Sequence, residues 1–191
     1  MLDRNIFVIG GPNGAGKSTV APHVLHRTLN IEDFVNADVI ASGLSGFRPE
    51  AAAMQAGRVM LARLRELAAA NAPFAFESTL ASRTFAPWLQ GLAAEGWKIH
   101  ILYVWVGSPG ICLARIKQRV RKGGHHVPDD VVRRRYQRSL SNFFTLYRPL
   151  AHQWQIYDNS SQPAELVAWG ASTQAVAIHK PNTYSAMESR A

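Results

Sequence analysis

The sequence predicts an α/β fold in which about five parallel strands form a sheet flanked by helices. Five short segments rich in β-branched and aromatic residues alternate with helical patterns, and this alternation is typical of a parallel sheet. The predicted strands are residues 5–10, 34–38, 74–78, 99–106 and 154–158. Residues 99–106 are almost all apolar, as expected of a strand covered on both faces. Residues 50–67 predict a helix, because Met60, Leu64 and Leu67 recur at helical spacing.

The length of 191 residues fits one domain, since a domain takes roughly 100–200 residues. We expect this domain to cover residues 1–179, and we expect the weakly periodic residues 180–191 to form a flexible tail. The hydrophobic fraction of 47% excludes a largely disordered chain. The net charge of +8 favours anionic partners such as phosphates, nucleotides or nucleic acid.

The compartment is indicated by what the chain lacks. Its single cysteine, Cys112, cannot form an internal disulfide and lies in an apolar run, so we expect it to be buried. The apolar run near the N-terminus is too short for a signal peptide. No stretch approaches the ~20 apolar residues of a membrane span. We therefore expect a cytoplasmic protein without a membrane partner.

Residues 11–18 read GPNGAGKS and satisfy the phosphate-loop pattern G-x-x-x-x-G-K-[ST] in full. The glycines permit positive φ angles, so that backbone amides can turn towards phosphate oxygens. We expect Lys17 to reach the β- and γ-phosphates of a nucleoside triphosphate and Ser18 to coordinate Mg²⁺. Pro22 predicts a kink in the helix that follows. The predicted nucleotide-binding residues of the loop are Gly11, Pro12, Asn13, Gly14, Ala15, Gly16, Lys17, Ser18 and Thr19.

Two carboxylates lie at the C-terminal ends of the second and third predicted strands, whereas no strand ends in the apolar run and aspartate of an ordinary Walker B motif. Strand C-termini of an open parallel sheet meet at the ligand crevice, so Asp38 and Glu77 should both face the phosphate loop. We predict that Asp38 contacts the substrate as catalytic base and that Glu77 binds Mg²⁺ or substrate. The neighbouring Ser78 and Thr79 are predicted substrate contacts. A strand-end cap or a surface salt bridge is the alternative role for each carboxylate.

Residues 118–140 are rich in arginine and predict a lid that closes over the triphosphate. Gly123 and Gly124 would supply a flexible corner of this lid. Arg119 is the predicted catalytic lid residue, and Arg121 is a second predicted nucleotide contact.

A helix is predicted beyond these glycines, with Arg134 and Arg138 opposite its apolar face. Arg134 is a predicted substrate contact, for which a solvated face is the alternative. His125 is another predicted substrate contact, and its neighbour His126 makes a poor metal pair with it, because adjacent side chains point apart on most backbones. The apolar face consists of Val132, Tyr136, Leu140, Phe143 and Tyr147.

Four segments together resemble the zeta toxin family of P-loop kinases over roughly residues 5–160. They are GGPNGAGKST, NADVIA, FESTLA, and GGHHVP ahead of the arginine-rich helix. The resemblance implies ATP or GTP with Mg²⁺, and transfer of the γ-phosphate to the 3′-hydroxyl of the amino sugar in UDP-N-acetylglucosamine. It also implies that Asp38 is the base, Lys17 the phosphate-loop lysine and Glu77 the acid after the third strand. The chain departs from the family in carrying a histidine, His125, where the toxins carry a lid arginine.

Other functions fit the same pattern. A basic groove over a phosphate loop also suits a polynucleotide kinase, but the arginines are not interleaved with stacking aromatic residues apart from Tyr136, which the helical pattern assigns to the core. The chain could instead be a non-catalytic nucleotide-binding module of a toxin–antitoxin pair, and either toxin-type reading allows an antitoxin partner. Residues 157–161 either border the nucleoside pocket or form a capped turn from a strand to a helix.

Overall fold

The structure is a computed structural model, and it describes residues 4–20, 31–46, 49–124 and 126–191. The described part of the chain contains a seven-stranded sheet. The strands are β1 (Asn5–Gly10), β2 (Phe34–Val35), β3 (Phe74–Ser78), β4 (Lys98–Trp105), β5 (Gln153–Asp158), β6 (Glu165–Ala171) and β7 (Gln174–Ile178). Their order across the sheet is β2-β3-β1-β4-β5-β6-β7. The first five strands in this order are parallel to one another, and β6 pairs antiparallel with both β5 and β7. The predicted α/β fold with five parallel strands is confirmed.

The helices pack around this sheet. They are α1 (Ala37–Leu44), α2 (Ala53–Ala69), α3 (Phe85–Ala94), α4 (Pro109–Arg121), α5 (Asp129–Asn142) and α6 (Pro181–Glu188). A 3₁₀ turn at Pro49–Ala52 precedes α2, and a π-helical turn at Phe143–Tyr147 followed by a 3₁₀ turn at Arg148–Leu150 continues α5. Residues 17–20 after the phosphate loop are also helical.

The core lies on both faces of the sheet. Consecutive residues of β4 point to opposite faces, and Leu102, Tyr103 and Val104 are all buried. The predicted apolar residues of α2 and of the helix after the glycines are buried as well. Cys112 is buried in the same core, as predicted. Within the described ranges, no helix combines the length and the apolar content needed to cross a bilayer.

The second strand is shorter than predicted, and Asp38 does not lie at its end. Only Phe34 and Val35 pair with β3. The side chain of Asn36 then accepts hydrogen bonds from the backbone N–H groups of Asp38 and Val39, and so caps α1. The prediction of a strand through residue 38 was wrong because the Asn36 cap starts a helix at Ala37.

The hairpin of β6 and β7 was not predicted. All residues of β7 except Ala177 are exposed, so this strand lacks the alternation of buried and exposed residues that marks a strand in a sequence. Residues 157–161 accordingly lead from β5 to β6 and not to a helix.

The C-terminal segment is ordered where we expected a flexible tail. It forms α6, in which Tyr184 and Met187 are buried against the core. Arg148 donates a 2.8 Å hydrogen bond to the Tyr184 hydroxyl and stacks its guanidinium over Phe144. Two buried residues three positions apart gave too little periodicity to predict this helix. The predictions for Pro22 and His125 lie outside the described residues.

Candidate active site

The phosphate loop has the predicted backbone. Gly11, Gly14 and Gly16 have φ angles of 139°, 80° and 95°, in the region that favours glycine. At Gly11 the surroundings also exclude a side chain, because a Cβ atom there would lie 2.1 Å from the backbone carbonyl oxygen of Val104. The loop therefore depends on glycine both for its conformation and for close packing.

Two side chains hold the loop through one carbonyl group. Nδ2 of Asn159 donates a 2.7 Å hydrogen bond to the carbonyl oxygen of Ala15. Nη1 of Arg115 donates to the same oxygen at 3.4 Å, while its Nη2 donates to the carbonyl oxygen of Asn159 at 2.7 Å. Arg115 also lines the cavity above the loop. The sequence pattern had indicated the region of Asn159 but not Arg115.

Lys17 is buried at the base of the site, with 5% of its surface exposed. Its Nζ donates to the carbonyl oxygen of Pro12 at 3.1 Å and lies 3.5 Å from Oε1 of Glu77. Burial lowers the pKa of Lys17, and the carboxylates of Glu77 and Asp38 oppose this effect. A bound triphosphate would add negative charge and favour the protonated amine further.

Glu77 joins three elements of the site. Its Oε2 accepts a 2.8 Å hydrogen bond from Oγ of Ser18 and a 3.0 Å hydrogen bond from Nδ2 of Asn36. The parallel register of β1 and β3 places Ile9 beside Glu77, which brings the carboxylate to the loop. Asn36 thus caps α1 and orients Glu77, a pair of roles that the sequence did not reveal.

The oxygen atoms of Ser18 and Glu77 fit Mg²⁺, which prefers hard oxygen ligands. The described residues contain no group of three or more His, Cys, Asp or Glu side chains placed to hold a metal. Mg²⁺ usually binds one or two protein ligands together with phosphate oxygens and water, so Ser18 and Glu77 are the residues that would hold it.

Asp38 lies in the first turn of α1 and is exposed to the cavity. It lines two adjoining cavities of about 690 and 500 Å³, together with Ser18 and Arg119. Glu77 lines the larger cavity. The two carboxylates that we predicted to face the phosphate loop therefore open onto the same space, although Asp38 reaches it from a helix.

The predicted lid arginines fall into two groups. Arg119 is exposed and lines both cavities. Arg121 and Arg134 are exposed and do not line either cavity, so their assignments stay predictions. Arg135, which the sequence analysis did not select, is half-buried and donates from Nη1 to Oδ1 of Asn13 in the phosphate loop at 3.3 Å. The arginine of α5 that contacts the loop is thus Arg135, the residue after Arg134, for which we predicted a substrate contact.

The end of β3 forms another wall of the larger cavity, which Ser78, the last residue of β3, and Thr79 line. Oγ of Ser78 accepts from the backbone N–H of Leu80 at 3.1 Å, and Oγ1 of Thr79 accepts from the N–H of Ala81 at 3.4 Å. Each hydroxyl keeps its own proton free for a further acceptor. The predicted substrate contacts are therefore placed at the cavity, beside Glu77.

Comparison with protein families finds a match over residues 6–146 to AAA_33, a family described as an AAA domain. An uncharacterized protein of Haemophilus influenzae is 31% identical over 139 residues, which cover 71% of this chain and 94% of that protein.

Solved structures resemble the chain as well. The crystal structure of AvrRxo1-ORF1:-ORF2 with ATP has a TM-score of 0.75 and 17% identity, covering 99% of this chain and 64% of that one. The PezAT chromosomal toxin–antitoxin system of Streptococcus pneumoniae has a TM-score of 0.66 and 14% identity, with coverage of 98% and 86%. A gluconokinase from Sinorhizobium meliloti has a TM-score of 0.53 and 18% identity, with coverage of 85% and 86%. At these identities the likeness shows the fold, and the chain spans about two thirds of the AvrRxo1-ORF1:-ORF2 chain.

Proposed function

The chain belongs to the AAA domain family AAA_33, and from this premise we propose that it is a phosphotransferase that moves the γ-phosphate of ATP to a hydroxyl group of a small molecule. One observation carries the proposal. Glu77 contacts Lys17 and Ser18 of the phosphate loop, and it shares a cavity with the exposed carboxylate of Asp38. The groups that would bind the triphosphate and the group that would remove the proton therefore line the same cavity.

The proposed reaction assigns one role to each group. Lys17 and the loop amides bind the β- and γ-phosphates, and Asp38 accepts the proton of the acceptor hydroxyl. The acceptor oxygen then bonds to the γ-phosphorus while the bond to the β,γ-bridging oxygen breaks, and ADP leaves. Ser18 and Glu77 would hold Mg²⁺, which offsets charge on the phosphate oxygens. Arg119, at the cavity mouth, is proposed to stabilise the charge that develops on the transferred group.

The acceptor that we propose is UDP-N-acetylglucosamine or a similar metabolite, and the support is the resemblance of the site segments to zeta toxins. Asp38, Lys17 and Glu77 occupy the positions which that resemblance implies. Likeness to the PezAT toxin–antitoxin system supports an antitoxin as a protein partner. We also propose that the reaction takes place in the cytoplasm, where ATP is available.

The test is a transfer assay with purified protein, ATP and Mg²⁺. A pool of UDP-sugars, nucleosides and 5′-hydroxyl oligonucleotides is read by mass spectrometry for the gain of one phosphoryl group. We expect a phosphorylated UDP-amino sugar. A phosphorylated oligonucleotide instead would show that the protein is a polynucleotide kinase. ATP binding without any phosphorylated product would contradict the proposed phosphotransferase activity.

The base is tested with Asp38→Asn and a matched variant, Asp33→Asn. Both exchange one carboxylate for an amide, but Asp33 pairs with Arg63 and does not line the cavities that Asp38 shares with the loop. Asp38→Asn should abolish transfer while ATP binding remains, and Asp33→Asn should retain both. Normal transfer by Asp38→Asn would remove Asp38 from the mechanism.

A further inference from the structure

The larger cavity has a wall that the phosphate-transfer residues do not use. Helix α2 contributes Met54, Gly57, Arg58 and Leu61 to this wall, and Phe85 faces them from the start of α3. The wall adjoins Asp38, which lines the same cavity. A molecule bound here would lie next to the proposed base, so the wall is placed to hold the acceptor.

Gly57 on this wall has no packing reason that the described residues explain. It lies within α2, where glycine is less favourable than alanine. A Cβ atom built on it would meet no described atom within 4 Å, so alanine would fit the folded protein. Glycine is also used where a ligand approaches a backbone closely. Because Gly57 lines the cavity, we attribute this glycine to the close approach of a ligand to the backbone of α2.

Arg58 brings a positive charge to the same wall. Its side chain is exposed, and among the described residues its polar contact is Nη2 to Sδ of Met54 at 3.9 Å, with no carboxylate within ion-pair distance. The carboxylates among the described lining residues are Asp38 and Glu77, both at the transfer centre. Among the described residues, the guanidinium of Arg58 is thus the charged group on this wall, and it would pair with an anionic group of the acceptor.

We propose that Gly57 and Arg58 form an acceptor subsite for a molecule that carries an anionic group, a phosphate or a carboxylate, apart from its reacting hydroxyl. The inference rests on the proposed phosphotransferase function. The Arg58 guanidinium pairs with the anionic group, and the bare backbone at Gly57 lets the body of the acceptor lie against α2. For UDP-N-acetylglucosamine, the anionic group that Arg58 would pair with is the diphosphate.

Matched acceptor pairs test the charge requirement. Nucleosides are compared with their 5′-monophosphates, and N-acetylglucosamine with UDP-N-acetylglucosamine, using Arg58→Gln and the control Arg65→Gln on the same helix. Arg65 is exposed and does not line the cavity. Arg58→Gln should lower kcat/KM for anionic acceptors about tenfold, the effect of one charged hydrogen bond, without changing the KM for ATP. Neutral acceptors, and all acceptors with Arg65→Gln, should keep wild-type values.

A glycine pair separates binding from stability. Gly57→Ala should raise the unfolding midpoint, because alanine favours the helix, and yet raise the KM for the acceptor severalfold. The matched control is Gly91→Ala in α3, a position where a Cβ also meets no described atom within 4 Å and which lines neither cavity of the site. It should raise the midpoint and leave KM unchanged. A purely structural role for Gly57 would not produce opposite changes in stability and binding.

The outcomes separate the two proposals. Transfer that prefers anionic acceptors and loses this preference in Arg58→Gln supports the subsite. Transfer with equal use of neutral and anionic acceptors, or with a preference that Arg58→Gln retains, overturns the subsite and leaves the phosphotransferase in place. Wild-type protein that binds ATP but transfers phosphate to none of the acceptors overturns the proposed function, and the subsite with it.

Discussion

Nδ2 of Asn142 donates a 2.8 Å hydrogen bond to the carbonyl oxygen of Leu80, and both residues are buried. Leu80 has a φ angle of 55°, a left-handed conformation that is uncommon for leucine. Two residues further on, the carbonyl oxygen of Ser82 is held in a similar way, because it accepts a 2.5 Å hydrogen bond from the Tyr147 hydroxyl. The end of α5 and the π-helical turn thus hold residues 80–82, which directly follow Ser78 and Thr79 at the cavity.

Replacing Asn142 with alanine should destabilise the protein by about 1–3 kcal/mol, because the buried carbonyl of Leu80 loses its donor. Urea unfolding measures this change. Arg138→Ala on the exposed side of α5 is the control and should stay within about 0.5 kcal/mol of wild type. Equal stability of the two variants would show that the Asn142 contact does not support the turn.

Replacing Lys17 with methionine should reduce phosphate transfer at least ~10²-fold, because the triphosphate loses its buried cation. The fold should persist, since Glu77 keeps its hydrogen bonds from Ser18 and Asn36. Transfer rates and circular dichroism test the two parts. Lys122→Met, at the exposed end of α4, should transfer at the wild-type rate. Loss of structure in Lys17→Met would instead assign the lysine a structural role.

Replacing Arg115 with alanine should weaken ATP binding about tenfold, because the Ala15 carbonyl and the chain at Asn159 lose a shared donor that orders the phosphate loop. Calorimetric titration with ATP measures the affinity. Arg133→Ala removes an exposed arginine of α5 that lines neither cavity, and it should bind ATP as the wild type does. Wild-type affinity in Arg115→Ala would show that its contacts do not order the loop.

His100 should make stability depend on pH in the acidic range. Burial lowers the pKa of His100 to about 4, with the positive charges of His152 and Lys98 acting in the same direction. The unfolded chain therefore binds more protons between about pH 4 and pH 6.5, so this contribution is complete above pH 6.5 and is lost as the pH falls towards 4. It should amount to about 1 kcal/mol, because solvent screens the partly exposed ring.

The variant His100→Gln should flatten that dependence in urea unfolding measured from pH 4 to pH 7. His179→Gln serves as the control, because His179 is exposed, and it should keep the wild-type slope. An unchanged slope in His100→Gln would show that other groups govern stability in this range.

The chemistry of the phosphate loop was predictable because it is local. A contiguous motif specifies the backbone of Gly11 to Ser18, and the structure shows the three positive φ angles that the motif implies. Asp38 was predicted at the site from its position after a strand, but the capping side chain of Asn36 moved it into a helix. The contact between Arg135 and Asn13 joins residues 122 positions apart, and no local pattern distinguishes Arg135 from its neighbour Arg134.

Local patterns were enough to predict the α/β class, the five parallel strands and the phosphate loop, because periodicity and turn chemistry depend on neighbouring residues. Packing between distant elements, in contrast, sets which arginines reach the cavity, how Asn159 holds Ala15 across 144 positions, and that Gly57 and Arg58 form a wall. Burial of an apolar face sets the rotation of each helix. That rotation selects which of several similar polar side chains points into the site.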